Sequence, residues 1–390
     1  MYILAIDQGT TGTTAALVNK KGKIVSLSNV EFKQIYPESG WVEHNPEDIW
    51  KSVKKAVKDT ISRTKISAHK IAAIGITNQR ETSVMWDKDT GEAVHNAIVW
   101  QCRRTTKFCE SLKKKNLEKM IHKKTGLFID PYFSGSKIGW LQKLAKKNKY
   151  NLNELIAGTI DSYLLWRLTK GESFKTDVSN ASRTQLMNIK TQKWDDELLK
   201  IYGVSKKLLP EICETNAEFG VTKGLSFLPD GIPIRSLVGD QQSALFGQGA
   251  FLEGQSKCTF GTGSFILLNT GSELTFSKHK LLTTVAWQLV GDKKTHYALE
   301  GGAFICGAAV QWLKEGLGII SKSADVEKLA LSVKSSEGVQ FVPALAGLGA
   351  PHWNPNARGA FFGMTRGTHK GHLARATIEA MALQLSLIHI

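Results

Sequence analysis

The feature that most constrains the fold is a short pattern that occurs twice: an apolar run, a Gly-Thr turn, a second apolar run. Asp7-Gln8-Gly9-Thr10-Thr11-Gly12 divides the run 2–6 from the run 13–18, and Gly261-Thr262-Gly263 divides 257–260 from 264–268. Each copy reads as a β-hairpin, and Gly-Thr turns in hairpins are usually structural. A turn of this kind also offers backbone N–H groups and hydroxyls to a phosphate, and a carboxylate such as Asp7 can hold a magnesium ion directly or through water. Two copies indicate an internal duplication, with two domains each turning a phosphate loop toward a shared cleft.

Between the copies lies Ser236-Leu237-Val238-Gly239-Asp240-Gln241-Gln242. Residues 234–238 read as a strand, Pro233 sits where a strand tolerates proline, and 241–246 have the composition of a short helix. Asp240 is therefore either a helix N-cap or a carboxylate at a strand's C-terminal end, where α/β folds bind ligands and where it can take a proton from a hydroxyl.

The opening hairpin continues into a third strand over 23–31. Asn45-Pro46-Glu47-Asp48 is a helix start, with a cap, a first-turn proline and acids near the positive end. The strand 71–77 delivers Asn78-Gln79-Arg80-Glu81, an adjacent cation and anion that is either a surface ion pair or a polyol-binding pair. Trp100 after the run 97–99 is either core or a flat pocket wall. Asp130-Pro131-Tyr132-Phe133-Ser134-Gly135 reads as a turn exposing aromatics, with a helix over 137–144. Further on, 296–300 reads as a strand, Gly301-Gly302 as a turn and 304–313 as helical spacing, with Gly307 permitting a close approach. Residues 345–355 form a turn-rich loop, 360–364 a returning strand and 373–387 a closing helix. The apolar ending over 385–390 makes the second domain look cut short.

The chain has 51 Lys and Arg against 35 Asp and Glu, a net charge of +16. The lysines are spread through helical segments without interleaved aromatics, so they read as solvated faces and no nucleic-acid partner is expected. Five scattered cysteines form neither a disulfide framework nor a zinc site. No stretch has the make-up of a signal peptide or a membrane span, so a cytoplasmic protein is the expectation.

Two phosphate loops facing a carboxylate suit phosphoryl transfer, although the P-loop sequence GxxxxGK[ST] is absent. That reaction needs positioning, magnesium, donors for the phosphate charge and an acceptor for the hydroxyl proton. The pieces Gly40-Trp41-Val42-Glu43-His44, Asn78-Gln79-Arg80-Glu81-Thr82, Trp100-Gln101-Cys102-Arg103-Arg104, Asp130 to Gly135 and Gly239-Asp240-Gln241-Gln242 carry a resemblance. Together with the opening hairpin they make the chain, from Ala5 to around Glu379, similar to the glycerol-phosphorylating branch of the carbohydrate kinase family.

The resemblance implies an α/β fold of duplicated ribonuclease H-like (actin-like ATPase) domains flanking a cleft. It implies a glycerol- and phosphate-binding domain over 1–248 and a nucleotide-binding domain over 249–390, the latter truncated. It implies ATP-dependent conversion of glycerol to sn-glycerol 3-phosphate with magnesium, in a homodimer or homotetramer. Asp240 is the implied base. Arg80, Glu81, Tyr132, Asp240 and Gln241 are implied to bind glycerol hydroxyls, and Trp100 and Phe265 to wall its carbons. Thr10, Thr11 and Gly12 are implied to meet the terminal phosphates, Thr262, Gly307 and Gln311 to line the second domain's side of the nucleotide, and Asp7 to hold magnesium through water. The family usually has arginine at Thr14, so slower transfer or weaker ATP binding follows; His352 and Asn354 replace a usual Tyr and Asp. Alternatives are a kinase for another small polyol such as dihydroxyacetone, or a polyol-binding protein without turnover.

Overall fold

In the computed structural model, residues 1–389 are described, with side chains through residue 386. The opening meander forms as expected: β1 (Tyr2–Gln8), β2 (Gly12–Asn19) and β3 (Ile24–Glu31) pair antiparallel. Helix α1 (Pro46–Ser62) starts where Asn45 accepts the Glu47 N–H. Its apolar stripe of Ile49, Trp50, Val53 and Val57 is buried with Leu4, Ile6, Ala15 and Leu17 of the meander. Each such side chain contributes about 1.5–3 kcal/mol of burial.

Strand β4 (Ile71–Asn78) returns parallel to β1, and helix α2 (Ser134–Lys147) follows later in the chain. The short β5 (Gly220–Val221) and then β6 (Pro233–Gly239) complete a six-stranded sheet of order β5-β6-β4-β1-β2-β3. Because β6 is also parallel to β4, Asp7 and Val238 both lie level with Thr77. Three strands thus end together, and helix α3 (Asp240–Gly247) starts at that edge.

The second hairpin opens a four-stranded antiparallel sheet of β7 (Ser256–Phe260), β8 (Ser264–Asn269), β9 (Leu282–Trp287) and β10 (His296–Ala303), in the order β7-β8-β10-β9. Among the described residues it repeats only the antiparallel part of the first sheet. Helix α4 (Gly307–Glu315) follows, and α5 (Lys370–His389) closes the described chain, so Ile390 of the apolar ending lies outside the described residues.

Three expectations are corrected here. Gly301-Gly302 is no turn: β10 runs through it, pairing Ile266 with Gly301 and Phe265 with Gly302. Gly302 admits the Phe265 ring, which a Cβ there would meet at 3.0 Å. Nor does the 130–135 segment expose aromatics. Tyr132 and Phe133 are buried, packed against Phe304 and Trp353 from beyond the second hairpin. That apolar cluster joins the two halves of the chain, and α2 begins at Ser134 rather than Lys137. All five cysteines are free. Among the described residues no helix is long and apolar enough to cross a membrane.

Candidate active site

The first Gly-Thr loop rests on a buried polar network. Gln79 donates from its backbone to Gln8 O at 2.7 Å and from its amide to Gly9 O at 3.1 Å. Gln34 donates to Thr10 O at 3.0 Å while its Oε1 lies 2.7 Å from His44 Nε2. Since an amide oxygen only accepts, His44 carries its proton on Nε2, and Nδ1 is left to receive the Gln79 amide at 3.4 Å. Burial pushes the imidazole down to about 3, so it stays neutral. His44, at the end of the Gly-Trp-Val-Glu-His segment, thus ties together the two glutamines that hold the loop's carbonyls.

At the shared strand edge stand two carboxylates. Asp240 is the first residue of α3 and makes no side-chain cap; its Oδ1 accepts only the Gln241 N–H of the helix, at 2.7 Å. Burial raises its proton affinity, against the opposing charges of Arg80 and Lys257. Asp7 meets solvent in the cleft, yet the surrounding protein pushes its carboxyl up to about 6, and the Asp240 charge adds to this.

Arg80 and Glu81 follow β4 in a tight turn, closed by Thr82 N–H to Arg80 O at 2.7 Å, with Glu81 at a φ of 59°. Such a conformation costs a non-glycine residue about 1–3 kcal/mol and collects at functional sites. The two side chains are not each other's main partners, and neither is on the surface. Arg80 and Glu81 stand 3.9 Å apart, whereas Arg80 makes a two-pronged bond to Glu300 at 2.6 and 2.9 Å. Arg183 donates to Glu81 at 2.7 Å and to Glu300 at 2.9 Å. All four are almost fully buried. Burial alone would raise the Glu300 carboxyl, but Arg183 and Arg80 hold it at about 2. Glu81, with fewer such bonds, is raised by burial despite the neighbouring Arg80 and Arg183.

Arg80 also reaches Asp240 Oδ1 from Nε at 3.3 Å and the Tyr132 hydroxyl from Nη2 at 3.3 Å. Tyr132 is held by Lys137, whose buried ammonium donates to the carbonyls of Pro131 and Phe133 at 2.9 Å each and to that of Tyr132. Trp100 presents its ring edge-on to Tyr132 and Phe265, with centroids at 5.7 and 6.0 Å, and donates from Nε1 to Thr10 Oγ1 at 2.9 Å.

The second hairpin closes the opposite side. Lys257 on β7 donates to Gln241 Oε1 and, at 2.8 Å, to Thr259 Oγ1. Burial lowers its ammonium to about 8. The N-terminal N–H groups around α4 are taken by the loop itself: Gly307 N bonds Gly261 O at 2.9 Å, and Cys306 N and Ala308 N bond Thr262 O at 2.9 and 3.1 Å. A Cβ on Gly307 would meet Gly261 O at 2.7 Å, so the close approach there is of backbone to backbone.

These groups enclose a cavity of about 170 Å³ lined by Thr10, Arg80, Glu81, Trp100, Tyr132, Asp240, Gln241, Thr259, Gly261, Thr262, Gly263 and Phe265. Nine of the fourteen residues singled out from the sequence are among them. Asp7, Thr11, Gly12 and Gly307 do not line it, although each belongs to or abuts one of the two loops. Gln311 lies apart: it bonds Glu315 at 3.1 Å and lines a second opening of about 680 Å³. Thr14 accepts the Asn29 amide at 2.9 Å on the exposed side of the meander. Sequence reasoning missed Arg183, Glu300 and Lys257. The signal for them was faint: an arginine after a polar run, and a lone acid or base within a strand.

With the geometry in place, the relatives are informative. The N-terminal domain of the FGGY family of carbohydrate kinases matches residues 2–247, and its C-terminal domain matches 256–389. A glycerol kinase of Bdellovibrio bacteriovorus is 60% identical over 98% of this chain and 78% of its own length. One from Rhizobium meliloti is 54% identical over 98% and 77%. The crystal structure of Plasmodium falciparum glycerol kinase with ADP superposes with a TM-score of 0.83 at 37% identity, covering 100% of this chain and 78% of that one. This chain belongs to the FGGY family of carbohydrate kinases, whose fold is that of the actin-like ATPases.

Proposed function

We propose that this chain phosphorylates glycerol from ATP, yielding sn-glycerol 3-phosphate and ADP. The observation that carries the reading is the small cavity in which a tyrosine, an arginine, an acid and an amide converge between two aromatic walls beside Asp240. At about 170 Å³ it is well below the roughly 300–1,000 Å³ of sites for drug-sized ligands, and so suits a molecule of few atoms. Arg80, Glu81, Tyr132 and Gln241 bind the hydroxyls, and Trp100 and Phe265 cover the carbons. Substrates lacking a hydroxyl leave these buried groups unpaired.

Asp240 accepts the proton of the terminal hydroxyl as its oxygen forms the bond to the γ-phosphorus and the bond to the bridging oxygen of ADP breaks. Its raised proton affinity makes it a stronger base than an ordinary carboxylate. Thr10, Thr11 and Gly12 take the terminal phosphates, and Thr262 and Gly307 line the second domain's side of the nucleotide. Gln311 belongs to the outer part of the nucleotide site.

The Asp240 charge adds to the burial that raises Asp7's proton affinity, a charge imbalance that a divalent cation relieves, and Asp7 is the residue that would hold magnesium. Magnesium, when bound, supplies neutralisation of phosphate charge. The test is ADP release from Mg-ATP with glycerol, dihydroxyacetone or xylulose at equal concentration. Glycerol should give the highest kcat/KM. Release independent of glycerol, or faster with xylulose, would overturn the reading.

A further inference from the structure

Arg80 meets the proposed substrate, yet its direction is set from the other half of the molecule. Glu300 lies on β10, next to β8, which opens directly after the Gly261–Gly263 loop. Its two oxygens take Nη1 and Nη2 of Arg80 at 2.6 and 2.9 Å. A two-pronged carboxylate bond fixes the plane of a guanidinium, and the remaining edge, Nε, is the one that stands 3.3 Å from Asp240. Glu300 Oε1 also takes Arg183 Nη2 at 2.9 Å, whose Nε in turn holds Glu81 at 2.7 Å. One carboxylate therefore orients both members of the Arg80-Glu81 pair.

The charges in this cluster cancel: Arg80 and Arg183 against Glu81 and Glu300, each with a side chain no more than 2% exposed. From the geometry we infer that Glu300 is a positioning residue for glycerol phosphorylation, aligning Arg80 and Glu81 for the polyol and sparing Asp240 the full Arg80 charge. The inference rests on the function proposed above. Asp240 is otherwise faced by Lys257 and Asp7. Neutralising Glu300 leaves Arg80 with Asp240 as its nearest charged partner on that side, and so holds Asp240 ionised to lower pH.

The experiment compares Glu300→Gln, Glu300→Asp and the charge-balanced pair Glu300→Gln with Arg183→Gln, each against the unmodified chain, in glycerol-dependent ADP release across pH. All three should raise the KM for glycerol by about tenfold or more, because the guanidinium loses its fixed plane. In Glu300→Gln the acid limb of kcat should move to lower pH, whereas Glu300→Asp, which keeps the charge, should retain the limb of the unmodified chain. A purely structural role predicts only less folded protein, with KM and the acid limb unmoved. That result in Glu300→Asp and the charge-balanced variant overturns the inference even if Glu300→Gln does not fold. Absence of glycerol-dependent release by the unmodified chain would instead overturn the function, and the inference with it.

Discussion

Replacing Asp240 by asparagine removes one charge and almost no volume, so it separates proton transfer from binding. A positioned general base contributes about 10²–10⁴ in rate, or roughly 3–5 kcal/mol in the barrier. Binding should suffer much less. At 3.3 Å the Arg80–Asp240 attraction is about 5 kcal/mol for an effective dielectric of 20. The Asp240 side chain, however, is 32% exposed, and Arg80 keeps both bonds to Glu300, so about 1 kcal/mol is the expected loss. In a coupled assay of ADP release, Asp240→Asn should lower kcat by at least about a hundredfold while the glycerol KM changes by less than about tenfold. Because burial already disfavours the Asp240 charge, thermal unfolding should occur at or above the temperature of the unmodified chain. A kcat within about fivefold of the unmodified chain, or a KM that rises more than kcat falls, would remove Asp240 from the role of base.

Arg80→Ala should weaken glycerol by about 2–5 kcal/mol, since it removes a buried charged donor from the polyol site; an unchanged calorimetric titration with glycerol would refute the placement. Gly307→Val forces a Cβ into contact with Gly261 O, which a Cβ would meet at 2.7 Å, and should raise the KM for ATP while leaving glycerol affinity intact. His44 titrates at about 3 in the fold instead of 6.5, so the unfolded chain binds the proton first as pH falls. Stability should therefore decline below about pH 6.5 and keep declining toward about pH 3, by up to roughly 5 kcal/mol in total. Urea midpoints followed across that window should fall less steeply in His44→Gln, and identical slopes would show that His44 does not carry the effect.

What was legible in the chain was what local pattern governs. Asp240 could be placed because a strand, a glycine and a helix start adjoin in sequence, and the two hairpins because apolar runs flank a Gly-Thr turn. Partnership across the fold was not legible. Arg80 and Glu81 are neighbours in sequence, so they read as a pair, but the real partners come from Arg183 and Glu300 on distant elements. Gly301-Gly302 read as a turn because nothing local announces that Phe265 will stand over Gly302. Tyr132 and Phe133 read as exposed because Phe304 and Trp353, which cover them, lie far along the chain.

The bond from Trp100 to Thr10 has a consequence for redesign. In the proposed site the indole is both a wall of the acceptor cavity and the donor that steadies the Thr10 hydroxyl of the first Gly-Thr loop. Carving the pocket wider by shrinking Trp100 would also let that threonine swing, so gains in acceptor range and losses in nucleotide handling would arrive together. A variant intended for longer polyols should enlarge the cavity from the Phe265 side, where the ring rests on Gly302 and bears no such bond.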